Sequence, residues 1–141
     1  PVATDLRIIS ASLKAVYDLE RIGEIGADIA DLVLNEHLTV ANDMLNLKSM
    51  SQIATGMVND AVTALANQNV ELAKAVIDRD DQVDEGFDKA KAFLIDNFNK
   101  DGNPEYLINL MMVAKYFEKI GDHAVNIAKW SLFVTTGKTG R

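Results

Sequence analysis

Residues 118–122 read Glu118-Lys119-Ile120-Gly121-Asp122, and the same pattern occurs earlier as Glu20-Arg21-Ile22-Gly23-Glu24. Each copy has carboxylates at positions i and i+4, which lie on one face of a helix. Each copy also places a glycine directly before the second carboxylate. A glycine inside a helix costs about 1 kcal/mol relative to alanine. Its use at the same place in two copies indicates a site as well as a scaffold.

On either side of these two copies, apolar residues recur at spacings of three and four, which is typical of amphipathic helices. The sequence therefore predicts an all-α fold, an antiparallel helical bundle of four long helices with short links. Their expected bounds are Thr4 to Asn35, Asn46 to Asn67, Val70 to Phe98, and Pro104 to Thr136. Asn69 and Asn103 are expected to cap the third and fourth helices. Residues 137–141 are expected to form a flexible tail.

The composition narrows the class of protein. The 141 residues carry 14 basic and 21 acidic side chains, a net charge of −7. This argues against a nucleic-acid binder, because such proteins neutralise phosphates with Lys and Arg. The absence of cysteine excludes disulfides and thiolate metal sites. No stretch approaches the roughly 20 apolar residues of a membrane span, and no secretion signal is visible. We therefore expect a soluble cytoplasmic protein without direct membrane insertion.

Helical phase predicts which residues form the core. The second helix is expected to bury Leu47, Met50, Ala54, Met57, Ala61 and Leu65. The first is expected to bury Leu13, Val16, Gly23, Ala27 and Leu34, and the third Leu72, Val76, Val83, Phe87, Ala90 and Leu94. The fourth is expected to bury Leu107, Leu110, Ala114, Phe117, Gly121, Val125, Ala128 and Leu132. The apolar residues of each helix form a stripe along one face. Gly23 and Gly121 lie at the centres of their stripes and are expected to let neighbouring helices approach closely.

The same phase places three carboxylate pairs at the margins of these stripes, at about 100° of rotation per residue. Asp80, Asp84, Glu118 and Asp122 are expected on adjacent helices, where they would repel one another without a cation. Hard oxygen ligands in this number suit Mg²⁺, Ca²⁺, Mn²⁺ or iron. Ion pairing, or solvation at the rim of the bundle, explains the spacing equally well. The available cations are Arg21, Arg79, Lys115 and Lys119. Spacing alone leaves both explanations open.

Signatures of catalysis are absent from the sequence. The two histidines are His37 and His123, and His123 projects away from the stripe of its helix, which is typical of a surface residue. No Glu-x-x-His of the di-iron bundles occurs, and no Gly-x-x-x-x-Gly-Lys phosphate loop. The serines have no histidine beside them in sequence and no nucleophile elbow. We interpret the chain as a non-enzyme.

Three segments of the sequence together carry a family resemblance. The first runs from Pro1-Val2-Ala3-Thr4-Asp5-Leu6-Arg7 through Asp18-Leu19-Glu20-Arg21-Ile22-Gly23-Glu24. The second is Phe117-Glu118-Lys119-Ile120-Gly121-Asp122-His123-Ala124-Val125-Asn126-Ile127-Ala128, and the third is Arg79-Asp80-Asp81-Gln82-Val83-Asp84. They resemble the PhoU family of phosphate-transport accessory proteins and regulators of phosphate-starvation signalling, and the resemblance covers nearly the whole chain.

The resemblance implies an architecture of three-helix repeats. Residues 1–36 would be the third helix of an incomplete first PhoU repeat, and residues 46–136 a complete second repeat. The first helix would then lack its usual packing partners. Its apolar face would need a substitute, either the second repeat or another chain, so a homo-oligomer is expected.

The resemblance also implies a metal site and partners. Carried over residue by residue, one site would comprise Asp80, Asp84, Glu118, Asp122 and Asn126, holding divalent or iron metal ions. A possible incomplete second site would comprise Glu20, Glu24 and Asp28. There aspartate is commoner in the family at position 24, and asparagine at position 28.

The implied function is a cytoplasmic regulator that contacts the phosphate ABC transporter and a sensor histidine kinase. A stand-alone metal-storage or metal-sensing bundle is the alternative function. A third reading is an inert structural fragment whose carboxylates are only surface charge.

Overall fold

The described residues, 2–38, 46–100 and 103–137, form helices and no strands in the computed structural model. The helices are α1 Val2–Asn35, α2 Leu47–Asn67, α3 Val70–Asp78, α4 Asp80–Asn97 and α5 Pro104–Thr136. Since α3 and α4 together take the place of the predicted third helix, the all-α bundle of four long helices is confirmed. Within the described ranges, no helix is long and apolar enough to cross a bilayer. Of the predicted tail, residues 138–141 lie outside the described residues.

Two asparagines begin helices as the sequence predicts. The Asn69 side chain accepts a hydrogen bond from the backbone N–H of Leu72 at 3.1 Å. The Asn103 side chain accepts one from the backbone N–H of Glu105 at 3.0 Å. Pro104 follows in the first turn of α5, where its missing N–H costs nothing. Both predicted caps are confirmed.

The junction between α3 and α4 is a local tightening at Arg79 and not a loop. Arg79 keeps right-handed backbone angles, φ −71° and ψ −14°. Its N–H is shared between the carbonyls of Ala75 at 3.2 Å and Val76 at 3.1 Å, a three-centre bond common at helix ends. Its guanidinium pairs with Asp60 of α2 at 2.7 Å. The right-handed backbone therefore continues through Arg79 into Asp80.

The core surrounds α5, which packs against every other helix. The largest fully buried side chains include Met50, Met57, Val76, Val83, Leu110 and Ile127. The predicted stripes of α2, α3, α4 and α5 are confirmed as core. Four of their members, Leu65, Leu72, Phe87 and Phe117, are only half-buried. The methionines of α2 thus fill the interior, as flexible apolar side chains commonly do.

The predicted stripe of α1 is wrong. Leu13, Val16 and Leu34 are 67%, 54% and 71% exposed, and Gly23 and Ala27 are exposed as well. The buried residues of α1 lie on its opposite side, at Ala11, Ala15, Asp18 and Ile25, and Ile22, Ile29 and Leu32 pack beside them. The helix has two apolar faces, and the periodicity did not indicate which of them packs on α5.

We predict that Asn103→Ala lowers the free energy of unfolding by about 1 kcal/mol, because the first-turn N–H of Glu105 loses its acceptor. Chemical unfolding measures this loss. Asn103→Ser should retain most of the stability, since serine also caps helices. Asn99→Ala, an exposed change nearby, is the control and should stay within about 0.5 kcal/mol of wild type. Equal stability of Asn103→Ala and wild type would contradict the role of this cap.

Candidate metal centre

Three carboxylates from two helices meet at the start of α4. Asp80 and Asp84 are one turn apart on α4, and Asp122 faces them from α5. One oxygen from each carboxylate lies within 4.8 Å of the other two. Asp80 and Asp84 are half-buried and Asp122 is exposed. The cluster therefore opens to solvent along one side while its other side rests on the core.

The packing of Gly121 on Val83 brings the two helices together beside this cluster. Gly121 is buried, and a Cβ atom built on it would lie 3.5 Å from both methyl carbons of Val83. An alanine would still fit, but a longer side chain would push α5 away from α4. The predicted close approach is confirmed at Gly121. At Gly23 it is wrong within the described residues, since nothing lies within 4 Å of the corresponding Cβ position.

The three aspartates resist ionisation. Partial burial raises the pKa of Asp80, and the negative charges of Asp122 and Asp81 raise it further. Burial also raises the pKa of Asp84, with additional repulsion from Asp80 and Glu118. The pKa of Asp122 rises for the same reasons, burial first and then the charges of Glu118 and Asp84. Each carboxylate is thus less stable as an anion than it would be alone in water.

Glu118 adjoins the cluster but has a cation of its own. Its Oε1 accepts a hydrogen bond from Lys115 Nζ at 2.5 Å, and the Glu118 side chain is only 14% exposed. This bond raises the pKa of Lys115. The ammonium also lies 4.9 Å from the centre of the Phe87 ring, a distance typical of cation–π contact. Glu118 nevertheless lies close enough to Asp84 to help raise the pKa of that aspartate.

Ion pairing therefore explains some of the carboxylates and not others. Lys115 pairs with Glu118, whereas Arg79 pairs with Asp60, outside the cluster. Among the described residues, none of the three clustered aspartates forms an ion pair. Asp80 Oδ1 is buried and has no hydrogen-bond partner there. An unpartnered buried oxygen beside two further carboxylates fits a hard cation such as Mg²⁺, Ca²⁺, Mn²⁺ or iron.

Asn126 lies one turn beyond Asp122, and its amide is turned towards α1. Its Nδ2 donates to Asp18 Oδ1 at 3.5 Å. The structure thus brings together Asp80, Asp84 and Asp122, with Glu118 beside them. Asn126 instead belongs to a contact between α1 and α5.

The other three predicted ligands lie on α1 and are exposed. Among the described residues, Glu20 is not part of the cluster of Asp80, Asp84 and Asp122. Glu24 pairs with Arg21 at 3.0 Å, both side chains being more than half exposed. Glu24 and Asp28 line a cavity of about 330 Å³ between α1 and α5, and Asp122 lines it too. These residues are near one another across two helices but do not form a compact ligand set.

A buried contact that the sequence did not reveal holds α1 against α5. Asp18 is only 4% exposed, and its Oδ1 lies 2.8 Å from His123 Nδ1. The expectation that His123 is a surface residue is wrong, since its side chain is 22% exposed. The prediction from sequence assumed that only one face of α5 is buried. In the structure α1 packs on the opposite face, and His123 points towards it. Asp18 has the same helical phase as Ala11, Ala15 and Ile22, and this phase could have predicted that it is buried on α5.

The fold and the cluster together define an all-helical bundle with carboxylate pairs on adjacent helices. Residues 47–131 match the family model described as "PhoU domain". The chain is 34% identical over 139 residues to "Phosphate-specific transport system accessory protein PhoU homolog 1" of Methanothermobacter thermautotrophicus. It is 32% identical over 142 residues to a PhoU homolog of Clostridium acetobutylicum. The chain belongs to the PhoU family.

These alignments cover 96% and 97% of this chain but 64% of each relative. The chain therefore spans slightly less than two thirds of the length of these relatives. The crystal structure of PhoU from Pseudomonas aeruginosa superposes with a TM-score of 0.90 at 29% identity, over 98% of this chain and 68% of that one. PhoU from Streptococcus pneumoniae, at 22% identity and a TM-score of 0.85, covers 98% of this chain and 66% of that one and shows the same fold.

We predict that the acidic cluster makes the metal-free protein less stable as the pH rises above about 4, the ordinary pKa of aspartate. The three aspartates have pKa values raised above the ordinary 3.8. In that range the native state binds more protons than the unfolded chain, so stability falls with rising pH. Urea unfolding in a chelating buffer measures the slope.

The variant Asp80→Asn/Asp84→Asn/Asp122→Asn should lose this part of the slope, because its amides do not titrate. Asp96→Asn, an exposed change on the same helix α4, should keep it. Parallel stability curves for wild type and the triple variant would show that the cluster does not act on folding in this way.

Proposed function

We propose that the chain is a cytoplasmic regulator of phosphate uptake and phosphate-starvation signalling. Family membership is the observation that carries this, because the matched relatives are named phosphate-specific transport system accessory proteins. The chain would act by protein–protein contacts with the phosphate ABC transporter and a sensor histidine kinase, and it would catalyse no reaction. Its net charge of −7 favours a basic partner surface and disfavours nucleic acid.

In this proposal, the chain contains parts of two repeats. Residues 1–36 are the third helix of a first PhoU repeat, and residues 46–136 form a complete second repeat. The matching patterns at Glu20 to Glu24 and at Glu118 to Asp122 support this division. α1 and α5 would then be equivalent helices that pack on each other. Residues 137–141 would be a tail.

The proposed metal site is formed by the carboxylates of Asp80, Asp84, Glu118 and Asp122, and Asn126 would join it only by turning its amide away from Asp18. The unpartnered Oδ1 of Asp80 and the raised pKa values of the three aspartates support it. A bound cation would supply the positive charge that offsets their mutual repulsion. The side chains would then fix α4 against α5, because carboxylates from both helices would bind the same cation. The partner surface formed by these helices would be held in one arrangement.

The second set, Glu20, Glu24 and Asp28, is proposed as part of an incomplete site. All three residues are exposed. On α5, the equivalent residues lie beside Asp80 and Asp84 of α4. Across the cavity from Glu24 and Asp28, α5 supplies the carboxylate of Asp122. We also propose that the protein is a homo-oligomer.

We predict that Asp80→Asn/Asp122→Asn abolishes stoichiometric metal uptake. Elemental analysis after separate incubation with Mg²⁺, Ca²⁺, Mn²⁺ and iron tests this. Wild type should also gain about 2.7 kcal/mol of stability when the metal is present at 100 times its dissociation constant, and the variant should gain none. The matched control is Asp78→Asn/Asp96→Asn, which removes the same charge from exposed positions. Wild type without any bound metal would identify the carboxylates as surface charge.

We predict that purified chain binds membranes containing the phosphate transporter, or the cytoplasmic part of the sensor kinase. Pull-down and titration measure this binding. Glu118→Ala/Asp122→Ala should weaken it about tenfold, since α4 and α5 would no longer be held in one arrangement. Unchanged affinity in this variant would contradict the link between metal and partner binding. Metal uptake without binding to either partner would favour the metal-storage function instead.

A further inference from the structure

Glu118 is held by a lysine of its own helix and stands outside the group of three aspartates. Its Oε1 accepts a hydrogen bond from Lys115 Nζ at 2.5 Å. Among the described residues, the carboxylate oxygens that lie within 4.8 Å of one another belong to Asp80, Asp84 and Asp122, and none belongs to Glu118. Glu118 is therefore a neighbour of the ligand set whose carboxylate is already engaged.

Two contacts hold the Lys115 ammonium at this point. One is the hydrogen bond to Glu118, and the other is the Phe87 ring of α4, whose centre lies 4.9 Å away. The Glu118 side chain is only 14% exposed, and opposite charges attract more strongly where solvent is partly excluded. The hydrogen bond also raises the pKa of Lys115, so this side chain is a cation at neutral pH.

Lys115 can affect metal binding in two ways that differ in sign. A cation that hydrogen-bonds the outer oxygen of a ligand orients that ligand, and its removal weakens metal binding. A cation that holds a ligand outside the set competes with the metal, and its removal strengthens metal binding. The position of Glu118 favours competition, because its carboxylate has to turn away from Lys115 in order to join the three aspartates.

We propose that Glu118 is a switching ligand, which Lys115 holds in the metal-free protein and releases when a metal cation occupies the three aspartates. The proposal rests on the metal site in the proposed function and specifies how that site is regulated. The positive charge of Lys115 already acts on the set, since it favours the ionised form of Asp122. The same charge repels an incoming cation. Lys115 thus stabilises the metal-free state and weakens metal binding.

Separate titrations of the 141-residue chain with Mg²⁺, Ca²⁺, Mn²⁺ and iron test this competition. Lys115→Met should bind the preferred ion about fivefold more tightly than wild type, which corresponds to about 1 kcal/mol. Methionine keeps a flexible apolar stem on the Phe87 ring and removes only the charge. Lys115→Arg retains the cation and should bind the ion as wild type does.

Lys119→Met is the matched control, because it removes the same charge from an exposed position one turn further along α5. It should change the dissociation constant by less than about twofold, since solvent screens this charge. Equal tightening in Lys115→Met and Lys119→Met would show a general effect of charge and overturn the proposal. In a Glu118→Gln background, Lys115→Met should lose its effect, because the two residues act through one contact.

The same titrations separate the failure of this proposal from the failure of the metal site. Equal or weaker binding by Lys115→Met, alongside metal uptake by wild type, would overturn the competition and leave the metal site standing. Metal uptake by neither protein would overturn both. Metal uptake by Lys115→Met but not by wild type would support the competition.

A second measurement does not depend on affinity. In crystal structures without and with the bound ion, the distance from Lys115 Nζ to the nearest Glu118 oxygen should lengthen from 2.5 Å to more than about 4 Å, the limit of an ion pair. A Lys115–Glu118 contact that persists in the metal-bound protein would overturn the release of this ligand.

Discussion

The packing of Gly121 on Val83 is the contact on which the acidic centre depends. It brings the backbone of α5 close to α4 at the level where both helices carry carboxylates. The neighbours of these two residues, Asp122 and Asp84, are thereby placed face to face with Asp80 beside them. Apolar packing thus supplies the stabilisation that holds like charges together, and the pKa values are raised by the opposing costs, first burial and then mutual repulsion.

A second set of contacts fixes the antiparallel direction of α1 on α5. Near the middle of α1, buried Asp18 meets His123. Near its start, the Arg7 guanidinium lies against Gly137, where φ is +72° and the helix ends. A cation near a helix C-terminus is favourable because it faces the negative end of the helix dipole. A side chain at Gly137 would meet this guanidinium and would also strain the left-handed backbone. Polar contacts at two levels therefore allow one register for an interface whose remaining contacts are apolar.

The sequence predicted the helices, their caps and most of the core, because these depend on local chemistry. It predicted the acidic cluster because i, i+4 spacing fixes the relative positions of Asp80 and Asp84 before any tertiary contact forms. It failed on α1, where Leu13 and Ala15 belong to two apolar faces of similar quality. The choice between such faces depends on the neighbouring helix, and the periodicity of α1 carries no information about that neighbour. His123 was misjudged for the same reason, since α5 contacts helices on opposite sides.

Asp122 lies between two regions of the molecule, one on each side of α5. It belongs to the acidic cluster between α4 and α5, and it also lines the cavity between α1 and α5 with Glu24 and Asp28. The strong repulsion acts on the α4 side, where burial and the charges of Glu118 and Asp84 raise the pKa of Asp122. On the α1 side, Glu24 and Asp28 are exposed and Glu24 pairs with Arg21, so solvent and this cation screen them from Asp122. The two sides of α5 therefore share one carboxylate, but its charge matters most on the side that is partly buried.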